Sequence, residues 1–143
     1  MTASRVLVAI AARSLATAGD VTLPQYRALV VLASRGPQRS IDLAVALGVN
    51  PSSATRLLDR LSRAGLIRRT RVQADRRSLR VALSPAGRDL VAQVTQRRRE
   101  EVEQLLTALP PEQHDLVITA LRAIADAAGE APERDLAVGL GWD

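Results

Sequence analysis

Hydrophobic residues recur at helical spacing along most of the chain, most clearly in residues 50–66, NPSSATRLLDRLSRAGL. At about 100° per residue, apolar residues from Ala54 to Leu61 gather on one side of a helix. Asn50 suits the N-cap and Pro51 the first helical position. The pattern predicts a short amphipathic helix. Its opposite side is small and hydroxylic at first and then basic: Ser52, Ser53, Arg56, Asp59, Arg60 and Arg63.

Two helical patterns precede this helix. Thr22 and Gln25 have capping-box spacing and predict a helix that ends at Gly36. Ser40 is predicted to cap the next helix, which a turn at Gly48 connects to the helix described above. Two short helices joined by a glycine-containing turn are typical of a helix-turn-helix. The predicted core positions of the first two helices are Leu23, Tyr26, Leu29, Val30, Ala33, Leu43, Ala44 and Leu47.

Strand-like alternation follows. Residues 66–72 are short and alternating, and residues 78–83 alternate strictly, with Val81 and Leu83 on the same face. This period of two predicts a half-buried strand pair. The intervening residues 73–77 are predicted to form an arginine-tipped loop. A charged hairpin directly after a helix-turn-helix indicates the wing of a winged helix, whose tip lies beside phosphates or in the minor groove.

A long helix is predicted from its N-cap, Ser84, to about Leu109. Apolar residues lie on one side at both of its ends, but Arg97, Arg98 and Glu101 interrupt them midway. This arrangement is typical of a helix that packs into two different cores. The first half would belong to the DNA-binding lobe and the second half to another core.

Two further helical patterns, in residues 2–17 and 111–128, have apolar stripes that the rest of the chain cannot cover. A second copy of the chain is the economical partner, so the sequence predicts a dimer. The tail, residues 129–143, is rich in glycine, proline and acids. Either the tail is disordered or its apolar residues hold it against the dimer. These residues are Leu136, Val138, Leu140 and Trp142.

Charge is unevenly distributed along the chain. Residues 50–99 hold 13 arginines against three acids, whereas residues 100–143 hold two arginines against ten acids. The middle therefore suits a polyanionic partner. All 20 basic residues are arginine, whose planar fork matches phosphate and guanine. Recognition of single strands by stacking needs aromatic platforms, and the only aromatic residues are Tyr26 and Trp142.

Several function classes are disfavoured by what the sequence lacks. Without cysteine there is no disulfide and no thiolate metal site. The single histidine, His114, lies at a predicted helix start, where a capping or surface role is favoured. No phosphate-cradling loop, nucleophile elbow or metal-spaced cluster occurs. The sequence therefore predicts no enzymatic activity, no metal and no cofactor.

The N-terminal run VLVAIAA has some features of a secretory signal. It is seven residues long and is followed closely by Arg13, which places it at the short limit for a signal. It is also too short to span a bilayer. We therefore predict a cytoplasmic protein that does not interact with membranes.

The order of these elements resembles the MarR family of multiple-antibiotic-resistance regulators. The matching strings are LPQYRALVVLA, IDLAVALGVNPSSATRLLDRLSRAGLIRR and ADRRSLRVALSPAGRDL, and the likeness covers about residues 4–128. It implies a mainly α fold with a small β-hairpin wing. One MarR-like domain would span 1–128, with a winged helix-turn-helix lobe at about 22–94, dimerisation helices at about 3–17, 95–109 and 111–128, and a tail at 129–143.

The resemblance also implies a function. It indicates a homodimer that binds a pseudo-palindromic operator in double-stranded DNA and regulates transcription, commonly by repression. A small lipophilic, phenolic or anionic effector would bind in a crevice between the lobes, bordered by Tyr26, Arg97 and Arg98. Arg77 would enter the minor groove, aimed by Asp75. The predicted DNA-binding residues are Ser40, Pro51, Ser52, Ser53, Thr55, Arg56, Arg60, Asp75, Arg76 and Arg77.

The alternative is a winged helix that contacts only other proteins and has no specific DNA binding. Such a module would not need the net charge of +10 carried by residues 50–99. Retention on heparin and its sensitivity to salt would separate the two hypotheses.

Overall fold

A mostly helical chain is arranged around a three-stranded antiparallel sheet. The structure, a computed structural model, describes residues 1–72 and 75–141, without the side chains of residues 71–78 and 133. The elements are α1 (Thr2–Ala16), α2 (Leu23–Arg35), β1 (Gln38–Arg39), α3 (Ser40–Leu47), α4 (Pro51–Arg63), β2 (Ile67–Val72), β3 (Asp75–Leu83), α5 (Pro85–Thr107), a 3-10 turn (Pro111–Gln113), α6 (His114–Ala127) and α7 (Glu133–Leu140).

The hydrophobic core lies where α2 to α5 meet the sheet. Leu29, Leu43, Leu58 and Val81 come from four different elements, and each is at most 1% exposed. Most of the predicted core positions of α2 and α3 are buried or half-buried. The prediction for Leu23 is wrong: its side chain is 55% exposed. Leu23 is the first residue of α2 and precedes the turns of that helix that pack on the core.

Strand β1 was not predicted, since two residues are too few to show an alternating pattern. Gln38 pairs with Val81 and Arg39 with Arg80. The prediction that Ser40 is the N-cap of α3 is wrong because of this pairing. Arg39, held extended at the end of β1, is the N-cap of α3, and Ser40 is the first helical residue.

Strand β3 begins earlier than the alternating pattern predicted. Its pairing with β2 begins at the pair Ile67 and Leu83 and continues to the pair Val72 and Asp75. The prediction of a loop over residues 73–77 is therefore wrong for 75–77, which lie in β3. Backbone pairing continues through charged residues that carry no apolar alternation. Residues 73 and 74 lie outside the described residues.

The start of α5 is packed tightly against the sheet. The Ser84 side chain accepts a hydrogen bond from the Gly87 amide at 3.0 Å and donates one to the Gly65 carbonyl at 2.6 Å, as expected for the predicted cap. A Cβ atom on Gly87 would lie 2.1 Å from the Leu66 carbonyl oxygen, so only glycine fits this approach. The helix ends at Thr107, two residues before the predicted end.

The tail forms a helix, α7, that packs on the same chain. Leu136 and Leu140 contact the core, Val138 is 79% exposed, and Trp142 lies outside the described residues. The alternative of a disordered tail is wrong for residues 133–140, which form α7. The contacts of α7 in the structure are with α2 and α5 of the same chain, and a contact of the tail with a dimer partner stays a prediction.

A glycine allows α7 to approach α2 closely. A Cβ atom on Gly139 would lie 1.6 Å from the carbonyl oxygen of Ala33. Any residue other than glycine at this position would therefore push α7 away from α2. An ion pair between Arg27 of α2 and Glu130 spans 2.8 Å and ties down the segment that leads into α7. Residues 130–141 therefore pack on the lobe formed by α2 to α5.

Helices α1 and α6 are less well covered. Ile10 of α1 is buried, and Arg13 forms an ion pair of 2.7 Å with Glu101 of α5. No residue of α6 is buried, and Leu116 and Ile124 are 71% and 65% exposed. Within the described ranges, no helix has the length and apolar character needed to cross a membrane.

Candidate nucleic-acid interface

Helix α4 is held at its start by local caps and along its length by the core. The Asn50 side chain accepts a hydrogen bond from the Ser53 amide at 2.8 Å. Three residues on the inner side, Ala54, Leu58 and Leu61, are each 1% exposed. Rotation of α4 about its axis would expose these apolar residues to water. Their burial therefore keeps the polar side of α4 facing solvent.

The polar face combines hydroxyl groups near the start of α4 with arginines further along. Ser53 is half-buried, whereas the other predicted contact residues of this helix, Pro51, Ser52, Thr55, Arg56 and Arg60, are exposed. The Ser52 hydroxyl donates to Asn50 Oδ1 at 2.8 Å, and the Thr55 hydroxyl donates to the Pro51 carbonyl at 2.9 Å. Both hydroxyl oxygens can still accept hydrogen bonds from base amino groups.

Arg56 and Arg60 have no ion-pair partner among the side chains that the structure describes. The acid on this face, Asp59, contacts Arg69 of β2 instead, at 2.6 Å. Both exposed guanidinium groups can therefore offer their fork of donors to guanine edges or phosphates.

The remaining predicted DNA contacts lie around the sheet. Ser40 is half-buried at the start of α3. The backbone of Asp75, Arg76 and Arg77 lies in β3, but their side chains are outside the described part of the structure. The aiming of Arg77 by Asp75 therefore stays a prediction.

Sequence reasoning missed a group of arginines on the outer face of the sheet. Arg39 and Arg80 are directly paired across strands and exposed, and Arg68 lies on the same face two pairs further along the ladder. Asp42 partly compensates these charges: it accepts two hydrogen bonds from Arg39, at 2.8 and 2.9 Å. The bond from Arg39 holds the pKa of the Asp42 carboxyl below its usual value. Strand alternation does place Arg80 on the face opposite Val81, but β1, which brings Arg39 beside it, was not predicted.

The residues predicted to border an effector are only partly brought together. The Arg98 guanidinium lies 5.6 Å from the ring centroid of the buried Tyr26, at cation–π distance. The Arg98 Nε atom is buried without a hydrogen-bond partner among the described residues. Arg97 turns away and lies 3.6 Å from Glu100 and 3.9 Å from Glu101.

A cleft of about 420 Å³ contains none of the three predicted effector residues. Its walls come from the turn before α2, the first turn of α2, the end of α4 and the start of α5. The lining residues are Ala18, Asp20, Val21, Gln25, Leu61, Ala64, Leu66 and Leu90.

His114 has a local structural contact. Its Nε2 atom lies 3.1 Å from the Leu109 carbonyl oxygen, close to the start of α6. In the described ranges, histidine, aspartate and glutamate side chains form no group of three suited to a metal ion.

The sequence α2–α3–α4, followed by the antiparallel sheet and α5, is a winged helix-turn-helix, a DNA-binding class of domain. The sequence profile of the MarR family matches residues 21–79. An HTH-type transcriptional regulator of Mycobacterium tuberculosis, MT0903.1, is 30% identical over 112 residues, which cover 78% of each chain. This chain belongs to the MarR family and is a transcriptional regulator with a DNA-binding helix-turn-helix.

Solved structures of other proteins have the same fold. RV1404 from Mycobacterium tuberculosis superposes with a TM-score of 0.87 at 43% identity, over 92% of this chain and 90% of that one. A MepR variant of Staphylococcus aureus, solved bound to an oligodeoxyribonucleotide, superposes with a TM-score of 0.69 at 23% identity, over 89% and 93% of the two chains. The second likeness concerns the fold alone.

Replacement of Arg56 by alanine is expected to weaken DNA binding by about 1–3 kcal/mol for each bound copy of α4 and to relax discrimination at one base pair. The reason is that Arg56 is exposed near the start of α4, where base edges are reachable. Affinities for a selected duplex and its single-base variants measure this effect. Arg5→Ala on α1 removes the same charge elsewhere and should leave discrimination unchanged. Equal effects of the two substitutions would contradict the role of Arg56.

Proposed function

We propose that the protein is a homodimeric repressor that inserts α4 of each protomer into the major groove of a pseudo-palindromic operator. The observation that carries the proposal is the polar face of α4. Arg56 and Arg60 are exposed there without ion-pair partners among the described side chains, opposite a face that is at most 1% exposed at its three inner positions. A fixed helix with outward arginine forks is suited to guanine edges and phosphates.

The β2–β3 hairpin, the wing, supplies the second contact. Arg77 enters the minor groove next to the major groove that holds α4, Asp75 aims it, and Arg76 lies beside the phosphates. The exposed Arg39, Arg68 and Arg80 on the outer face of the sheet add to the positive potential of the lobe.

Support for DNA as the partner comes also from MepR, which shares this fold and was solved with an oligodeoxyribonucleotide. Repression follows from occupancy, because a dimer seated on two half-sites obstructs other proteins at the same promoter. The protein would act on DNA in the cytoplasm.

The proposed dimer is supported by apolar surface that one chain leaves uncovered. Helix α6 has no buried residue, and its Leu116 and Ile124 are largely exposed. Val6 and Leu7 of α1 and Leu105 of α5 are each exposed by more than 40%. Exposed apolar surface of this extent is typical of an interface.

DNA binding should depend strongly on salt. About four to six arginines per protomer near phosphates mean about eight or more neutralised phosphates per dimer, so log K should fall with log salt with a slope of about −7 or steeper. Fluorescence anisotropy on a duplex selected from a random-sequence pool measures the slope. Inserting about five base pairs between the half-sites should abolish tight binding. A slope near −2 would exclude the basic lobe as the contact surface and favour the protein-interaction alternative.

Replacement of Leu121 by aspartate is expected to yield monomers. Leu121 lies on the apolar stripe of α6, where a partner protomer would bury an unpaired charge. Sedimentation at micromolar concentration measures the effect. Val138→Asp, at a 79% exposed position of α7, is the matched control and should leave the dimer intact. An unaltered protein that sediments as a monomer would refute the dimer.

A small anionic aromatic or lipophilic effector is proposed to bind beside Tyr26 and Arg98, where the buried Nε atom of Arg98 lacks a partner among the described residues. Aromatic carboxylates should raise the melting temperature and release DNA. Arg98→Gln should remove both effects, whereas Arg97→Gln should not, because Arg97 pairs with Glu100 and Glu101. A panel of such acids that changes neither property would rule out this site.

A further inference from the structure

Asp59 is the only acidic residue of α4, and it lies among arginines. It is three residues from Arg56 and four from Arg63, so the three side chains share one side of the helix. A carboxylate on a surface that meets phosphates repels them and lowers affinity. We therefore expect Asp59 to have a contact that offsets this loss of affinity.

The Asp59 carboxylate binds Arg69 of β2. Asp59 Oδ1 accepts a hydrogen bond from Arg69 Nη2 at 2.6 Å, and the two side chains are 44% and 32% exposed. This bond joins α4 directly to the first strand of the wing. Hydrogen bonds between two charged groups are short and directional, so the pair constrains the distance between the helix and the strand.

Arg69 lies where the hairpin leaves the core. Its partner in the ladder, Val81, is fully buried on the inner face of the sheet. Leu79, the next residue outward along β3 on the same face, is 44% exposed. The Asp59–Arg69 bond therefore holds the base of the part of the wing that projects beyond the core.

We propose that Asp59 and Arg69 are positioning residues that set the angle between α4 and the wing, so that both elements fit one operator together. The inference rests on the proposed function, in which these elements enter adjacent grooves. Val72 lies about 10 Å along the strand from Arg69. A tilt of about 10° at Arg69 would move Val72 by about 2 Å, enough to break hydrogen bonds between the wing and DNA.

Asp59→Asn separates positioning from simple electrostatics, since the two make opposite predictions. Removing a negative charge should by itself tighten binding to every duplex. If Asp59 positions the wing, a duplex selected from a random-sequence pool should be bound about two- to fivefold more weakly, the scale of a half-exposed ion pair. The unselected pool should be bound equally well or more tightly. The quantity to measure is the ratio of the two affinities.

Two further variants make the test specific. Asp89→Asn, at an exposed position of α5 without an ion pair among the described side chains, removes the same charge and should leave the affinity ratio unchanged. The charge swap of Asp59→Arg combined with Arg69→Asp should recover selectivity that each single change loses. Melting temperatures are measured for every variant, and Arg69→Gln replaces Asp59→Asn if the latter does not fold.

The inference is overturned if Asp59→Asn changes both affinities as Asp89→Asn does. It is also overturned if the charge swap folds but recovers no selectivity, because the role would then not depend on the pair. Failure of the proposed function gives a different result: the unaltered protein would enrich no duplex from the pool.

Discussion

The burial of Leu58 and Leu61 beneath α4 decides which way the arginines of that helix point. Both side chains are 1% exposed in the core shared by the sheet and the neighbouring helices. Truncating a leucine in such a site costs about 2–5 kcal/mol, a large share of the stability of a small domain. The orientation of the polar face is therefore set by packing on the opposite side. The candidate interface can vary in sequence while its direction is kept.

Features that depend on a few neighbouring residues were predictable from the sequence. The caps at Asn50 and Ser84 act within three residues, and the two faces of α4 follow from its own periodicity. The errors concern pairing between distant segments. Strand β1 exists because Gln38 meets Val81, far along the chain, and this contact also moved the start of α3 away from the predicted cap.

The candidate sites show the same division. The outward arginines of α4 were predicted from spacing alone. Arg98 was identified because it interrupts an apolar stripe, and it does contact Tyr26. Arg97, one residue earlier, was grouped with it, but a step of one residue turns the side chain by about 100° towards Glu100 and Glu101. Sequence alone indicated a charged middle of α5 but not which charge would face the aromatic ring.

Helix α7 has a practical consequence. The chain contains no cysteine, and Val138 is exposed on the outer side of a helix that is fitted against α2 through Gly139. A cysteine introduced at Val138 would be the sole thiol of this chain, and a dye attached there would move rigidly with the DNA-binding lobe. In the proposed dimer, energy transfer between two such dyes would then report the separation of the lobes, without a label on either the helix-turn-helix or the wing.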